Sequence, residues 1–268
     1  MNHFSRPMLA ILLSLASISV YAKTVTVNIQ NFAYIPKDLT IDQGDIVNWV
    51  NKDNFPHTAT ADNASLWDSG NLSLNQSFKR AFKTPGTFTY HCTIHPGMVA
   101  SIIVRTPEQT RINIGKTIVT GPNAVLPITI KKPSDQVYQG SYIVNTQGSC
   151  ADCHSCPTYK VGNNPFKGEK LKFNSVSYLA GGVAFGPFLS RNLTPDASGK
   201  PAGMTLNQFK ATLRTGHSSN DPAGSLLQVM PWPVYGKMSD TDLEAVYAYL
   251  QNIPSAATPT PACSNAGQ

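Results

Sequence analysis

The sequence predicts two domains of different class, an all-β sandwich over residues 23–106 and an all-α domain over residues 134–268. Three observations predict it. Up to Val104, short β-branched and aromatic runs are divided by Gly, Pro, Asn and Asp, the pattern of a sandwich. Beyond Pro133, apolar residues recur at helical spacing behind capping residues. The residues able to carry chemistry also differ: His, Cys and Met cluster in the first half, and Cys-x-x-Cys-His stands in the second.

The chain has 268 residues, 41% hydrophobic and 13% charged, an ordinary composition for globular domains. Its formal net charge is +6, with the excess mostly between the two domains, where Arg111, Lys116, Lys131 and Lys132 oppose only Glu108. No basic face suited to nucleic acid is legible. Residues 1–22 read as an export signal: Arg6, an apolar run from Met8 to Val20, and the cleavage-like Val20-Tyr21-Ala22. The run is short for a membrane span and no later segment qualifies. The expectation is a mature chain beginning near Lys23, in the bacterial periplasm, with no membrane span.

In the first domain, Thr24 to Ile29 alternates. Leu39-Thr40-Ile41 leads into the turn Asp42-Gln43-Gly44-Asp45, and Ile46 to Val50, Phe82, Thr87 to Tyr90 and Ser101 to Val104 continue the theme. Two loops carry the donors. One holds His57; the other reads Cys92-Thr93-Ile94-His95-Pro96-Gly97-Met98. Two imidazoles, a thiolate and a thioether form the ligand set of a blue-copper electron-transfer site, since soft sulfur donors favour Cu(I) and imidazoles suit both oxidation states. Zinc would use the same Cys and His but not Met98.

Residues 107–133 read as a partly structured linker. Arg111 to Ile114 and Lys116 to Thr120 look extended, Gly121-Pro122-Asn123 marks a turn, and Pro127 and Pro133 punctuate the rest. In the second domain, Ser134-Asp135 caps a helix running through Val144 to the motif. Thr205 with Gln208 forms a capping box for a helix that Gly216 ends, with Leu206, Phe209 and Leu213 on its apolar face. A last helix follows Ser239, with Leu243, Val246, Tyr247 and Leu250 as its buried stripe.

Cys150-Ala151-Asp152-Cys153-His154 is the attachment pattern of a c-type haem: two thioethers to the porphyrin and a histidine under the iron. A thiol redox pair or half a zinc site needs no histidine at this place, and no second Cys-x-x-Cys completes a zinc site. For the sixth ligand the candidates are Met204, Met230 and Met238, with His217 as the rival. Met204 and Met238 each sit just before a helix cap, where a buried apolar residue is expected. Met230 lies in an irregular, proline-flanked segment that can present a side chain to the haem.

On Asn31-Phe32-Ala33-Tyr34, Gly44 to Trp49, Asn51-Lys52-Asp53, Pro56-His57-Thr58 and Pro85 to Cys92, residues 28–104 resemble the plastocyanin-like cupredoxin family, and the short Cys92–Met98 loop is more similar to amicyanin than to plant plastocyanin. The resemblance implies an eight-stranded Greek-key sandwich with copper under one end, and a hydrogen bond from Thr58 across to the other ligand loop. On Gly140 to Val144, Arg191 to Asp196, Met230-Pro231-Trp232-Pro233 and Met238 to Leu250, the second half resembles a class I cytochrome c. It is similar to the haem modules of cytochrome subunits of bacterial dehydrogenases, and the family pattern favours Met230. Those subunits hold several haem motifs, whereas this chain has one. Cys156 and Cys263 remain; an oxidising compartment favours their pairing, and the cytochrome fold, which packs the C-terminal helix on the motif helix, allows it.

The functional expectation is an electron carrier with one type 1 copper and one covalent haem c. It would relay single electrons between redox proteins: a dehydrogenase or reductase on one side, a cytochrome complex or terminal oxidase on the other. The alternative is a cytochrome-fused copper oxidoreductase such as a nitrite reductase. Its catalytic copper needs three further histidines. His91, next to Cys92, is expected to point away from the copper face, and with it only His217 is uncommitted.

Overall fold

A computed structural model describes residues 22–260 and 262–264. The expected export signal, Ala22 apart, lies outside the described residues. The chain divides into two units between Arg105 and Thr106.

The first unit is a sandwich of two four-stranded sheets. One has the order β2 (Ala33–Ile35), β1 (Thr24–Gln30), β4 (Ile46–Asn51), β6 (Ser77–Ala81). The other runs β3 (Asp38–Asp42), β8 (Val99–Arg105), β7 (Gly86–His91), β5 (Thr60–Ala61). Alternation decides which face turns inward: Val27 and Ile29 of β1, Val47 and Trp49 of β4, and Ala100, Ile102 and Val104 of β8 are buried. Each such Ile or Val contributes about 1.5–3 kcal/mol on leaving water. Trp49 stacks on Trp67 (6.0 Å between ring centroids) and Phe78 (5.7 Å), and meets Tyr90 edge-on (5.6 Å). β1 and β4 run parallel, with Val27 opposite Trp49 and Ile29 opposite Asn51. β3 and β8 are also parallel, so the strands cross between sheets rather than forming a simple meander.

Two pairings position the ligand loops. β7 and β8 form a hairpin with His91 opposite Val99, so residues 92–98 form its loop at one end of the sandwich. β5 pairs with β7, Thr60 opposite His91. That register carries the segment just before Thr60, including His57, to the same end.

The second unit begins earlier than expected. Residues 107–119 are not an extended linker but helix α1 (Pro107–Val119), and it packs on α2 (Asp135–Tyr142). Thr106 caps it in a reciprocal box with Gln109, Pro107 fills the first turn, and Lys116 lies in the last. The run of Ile and Thr suggested a strand, but tertiary packing overrides that preference. Gly115 allows it: a Cβ there would lie 1.8 Å from the Tyr138 carbonyl oxygen, and Ser141 Oγ donates to the Gly115 carbonyl at 2.9 Å. Leu126 and Ile130 are buried in the same core, so the 107–133 stretch belongs to the second unit.

α2 is capped by Ser134 as expected, then opens into one π-helical turn over Ile143–Gln147. Gly140 lies where a Cβ would sit 2.0 Å from the Ala245 carbonyl oxygen, which lets α2 lie directly on the last helix, α6 (Asp240–Asn252). Between them come α3 (Cys150–His154), α4 (Leu206–Thr215) and the short α5 (Trp232–Tyr235). α4 has the Thr205–Gln208 box and ends at Gly216 with φ 74°.

This unit is not all-α. A small sheet, in the order β10 (Phe188–Leu189), β9 (Val183–Phe185), β11 (Cys263–Ser264), lies among long irregular segments. Strands of two or three residues are too short to show a period-2 pattern. β11 places Cys263 beside Val183, and Cys263 is bonded to Cys156. The bridge therefore forms from a tail strand, not from the C-terminal helix. No helix among the described residues is long and apolar enough to cross a membrane.

Candidate functional site

At one end of the sandwich His57, Cys92 and His95 converge, their ligand atoms all within 4.8 Å of one another. Cys92 and His57 are fully buried and His95 is half-buried. His57 Nδ1 lies 3.8 Å and His95 Nδ1 3.7 Å from Cys92 Sγ, and the two Nδ1 atoms are 3.1 Å apart. The loop is closed by its own backbone: Cys92 N–H donates to the Met98 carbonyl (3.1 Å) and Met98 N–H to the His95 carbonyl (2.9 Å). The Met98 side chain is buried in the same apolar cluster as Cys92.

Neighbouring groups fix these donors. Asp53 Oδ2 lies 3.0 Å from His57 Nε2. A carboxylate only accepts, so Nε2 carries the proton and Nδ1 turns its lone pair toward the thiol. Burial opposes ionisation of Asp53, but the amides of Phe32 and Asn31 and the His57 ring outweigh it and hold its pKa below the usual carboxylate range. Burial likewise pushes the His57 imidazole down, more than Asp53 raises it. Thr58 N–H donates to Cys92 Sγ (3.3 Å), and Thr93 N–H donates to Thr58 Oγ1 (2.9 Å), which ties the two ligand loops together. His91 turns instead to Asp62, Nδ1 to Oδ1 at 2.7 Å. Of the residues around the three donors, sequence reasoning missed Asp53 and Phe32. Their contacts depend on a turn whose conformation no spacing announces.

In the second unit α3 holds Cys150, Cys153 and His154 against a cavity of about 430 Å³. That size suits a small-molecule cofactor site (roughly 300–1,000 Å³). Its walls include Phe185, Leu193, Phe209 and Leu213, and Met230 is also part of the lining. His154 Nδ1 donates to the Arg191 carbonyl at 2.7 Å, which leaves the Nε2 lone pair available as a ligand. Desolvation pushes the His154 imidazole down. It pushes the Cys150 thiol up to about 12, with Cys153 acting in the same direction. A redox-active Cys-x-x-Cys is marked by a depressed thiol pKa, the opposite direction to the one burial gives Cys150. Thioether attachment makes no such demand on the resting thiol.

The candidates for the sixth position separate. Met230 and Met204 line the cavity; Met238 and His217 are not part of its lining. Met204 is buried with its sulfur accepting from Thr212 Oγ1 at 3.5 Å, and its carbonyl accepts from Tyr247. Exposed His217 places Nδ1 2.7 Å from the Ser225 carbonyl. Met230 is half-buried. The donor set and the apolar walls thus fit a c-type haem.

An eight-stranded sandwich with a His–Cys–His set gathered at one end has the layout of a cupredoxin-type copper-binding domain. Residues 21–105 match the family of copper binding proteins described as plastocyanin/azurin. Amicyanin of Paracoccus versutus is 29% identical over 93 residues, covering 33% of this chain and 70% of that protein. A solved copper(I) form of an amicyanin variant, 27% identical, covers 31% of this chain and 82% of that one with a TM-score of 0.30. A second group of relatives are cytochrome subunits. The gluconate 2-dehydrogenase cytochrome c subunit of Pantoea cypripedii is 30% identical over 116 residues, 43% of this chain and 23% of that one. The chain thus spans about a quarter of the length of the dehydrogenase cytochrome subunits it matches. It joins a segment that matches the plastocyanin/azurin family of copper binding proteins to a segment similar to dehydrogenase cytochrome subunits.

Proposed function

We propose that the chain is an exported, periplasmic one-electron carrier with two centres, a type 1 copper in the first unit and a covalent haem c in the second. The convergence of two imidazole nitrogens and a buried thiol on one point carries the reading. His57, Cys92 and His95 would hold the copper with Met98 as the thioether donor, and the ion supplies a Cu(II)/Cu(I) couple. Cys150 and Cys153 would form the haem thioethers, with His154 and Met230 as axial ligands; the haem supplies an Fe(III)/Fe(II) couple whose potential Met ligation raises.

The protein's part in transfer is to hold its donors still. The Thr58 and Asp53 hydrogen bonds keep the copper ligands in one geometry for both oxidation states, which keeps reorganisation small. Carrying both centres on one chain raises the effective concentration of each at the other. Redox proteins, a dehydrogenase or reductase and a cytochrome complex or terminal oxidase, are the proposed partners. The similarity to dehydrogenase cytochrome subunits supports that choice.

The test is a visible spectrum of the holo-protein, oxidised and reduced, followed by rapid reduction of one centre. An intense thiolate-to-copper band and a low-spin Met-ligated haem are expected, with copper and haem equilibrating faster than dilution-sensitive encounter allows. A five-coordinate haem, absence of the copper band, or a rate that falls with dilution would sink the reading.

A further inference from the structure

We propose that Asp53 is a positioning residue of the copper centre. Its one carboxylate orients the His57 ligand and locks the exposed turn that lays Phe32 over both histidines. This rests on the copper reading above.

Three donors meet on Asp53. Asn31 N–H donates to Oδ1 at 2.8 Å, Phe32 N–H to Oδ2 at 2.9 Å, and His57 Nε2–H to the same Oδ2 at 3.0 Å. Asn31 and Phe32 both have left-handed backbone, φ 55° and 54°, a conformation that non-glycine residues keep only when their surroundings impose it. The carboxylate is the group that accepts both amides of that turn.

Asp53 is braced in turn. Its amide donates to Asn51 Oδ1 at 2.9 Å, and buried Asn51 donates from Nδ2 to the Phe55 and Leu72 carbonyls, both at 2.8 Å. The turn sets the Phe32 ring edge-on to His57 (5.3 Å) and to His95 (5.0 Å), with Phe55 alongside at 5.4 Å.

A carboxylate hydrogen-bonded to the remote nitrogen of a ligating imidazole raises that ligand's basicity and places negative charge near the metal. Both effects favour Cu(II) over Cu(I). Asp53 therefore holds the copper potential down while it fixes the aromatic cover of the ligands.

The experiment uses the full copper-loaded chain, unaltered and as Asp53→Asn and Asp53→Glu. In Asp53→Asn the copper band persists, and the preference for Cu(II) over Cu(I) falls about tenfold, a rise of about 59 mV for a one-electron couple. Backbone amides of Asn31 and Phe32 exchange faster with solvent. Asp53→Glu, which keeps the charge, recovers most of the potential. An Asp53→Asn protein with an unchanged potential overturns the proposal, because a merely structural carboxylate would loosen the turn without moving the couple. Should both variants fail to fold, nitrogen-15 spectra of the unaltered Cu(I) protein decide: a His57 Nε2 proton protected from exchange supports the proposal and a freely exchanging one overturns it. Failure of the copper reading itself appears separately, as an unaltered chain with no copper band.

Discussion

The two candidate sites of this chain are built in opposite ways. In the first unit the donors are assembled on a finished core: Trp49, Tyr90 and Ile102 are fully buried without help from the site, and His57, Cys92 and His95 are set by hydrogen bonds at its edge. In the second unit, α3 and α4 and the irregular segments between them line a cavity large enough to be a core in itself. The lesson is that the proposed copper would be an addition to a fold, whereas the proposed haem would be part of one.

The largest effect belongs to haem attachment. Left without an occupant, the 430 Å³ space would deprive the apolar side chains that line it of their packing partner. A Cys150→Ser/Cys153→Ser chain is therefore expected to lose most helical circular dichroism, while the sandwich still melts cooperatively. A second unit that stays folded without haem would break the contrast.

The Cys156–Cys263 bridge, 107 residues apart, comes next. Its removal by Cys263→Ser should destabilise the second unit by about 2–5 kcal/mol and leave the first unchanged in denaturant titrations. A smaller change follows Gly140→Ala, whose added methyl meets the Ala245 carbonyl and should cost about 1–3 kcal/mol by overpacking.

Cys92→Ser should abolish the copper band yet shift the melting of the metal-free sandwich by less than about 1 kcal/mol, since a hydroxyl replaces a small buried thiol. The smallest expected effect is His217→Ala, which should leave the haem spectrum as it was. Met230→Ala should remove the signature of sulfur ligation from the same spectrum. The reverse pattern would exchange their roles.

Sequence legibility follows the same division. His57, Cys92 and His95 could be read because loop spacing between strands carries nearly all the information about where those side chains meet. Asp53 could not: two of its three contacts depend on left-handed backbone at Asn31 and Phe32, more than twenty residues earlier. In the second unit the Thr205–Gln208 box and the Ser239 cap marked α4 and α6 correctly. The equally clear box Thr106–Gln109 was hidden by the β-branched residues behind it. Close contacts at Gly115 and Gly140 bind α1, α2 and α6 into one core, and a glycine inside a helix does not announce which backbone it will touch. The short strands β9 to β11 are set by the bridge and by surrounding loops, neither of which leaves a periodic trace.

The placement of the bridge has a consequence for biogenesis. Cys150, Cys153 and Cys156 leave the ribosome within seven residues of one another, and the true partner of Cys156 follows more than a hundred residues later. Any compartment oxidising enough to make the bridge meets the three early sulfurs first, and a hasty link among them would consume a thiol that the porphyrin vinyl groups require. With the haem attached as proposed, maturation of this chain would depend on timing. A reductant or isomerase would then have to keep the early trio open until the porphyrin is attached or Cys263 arrives.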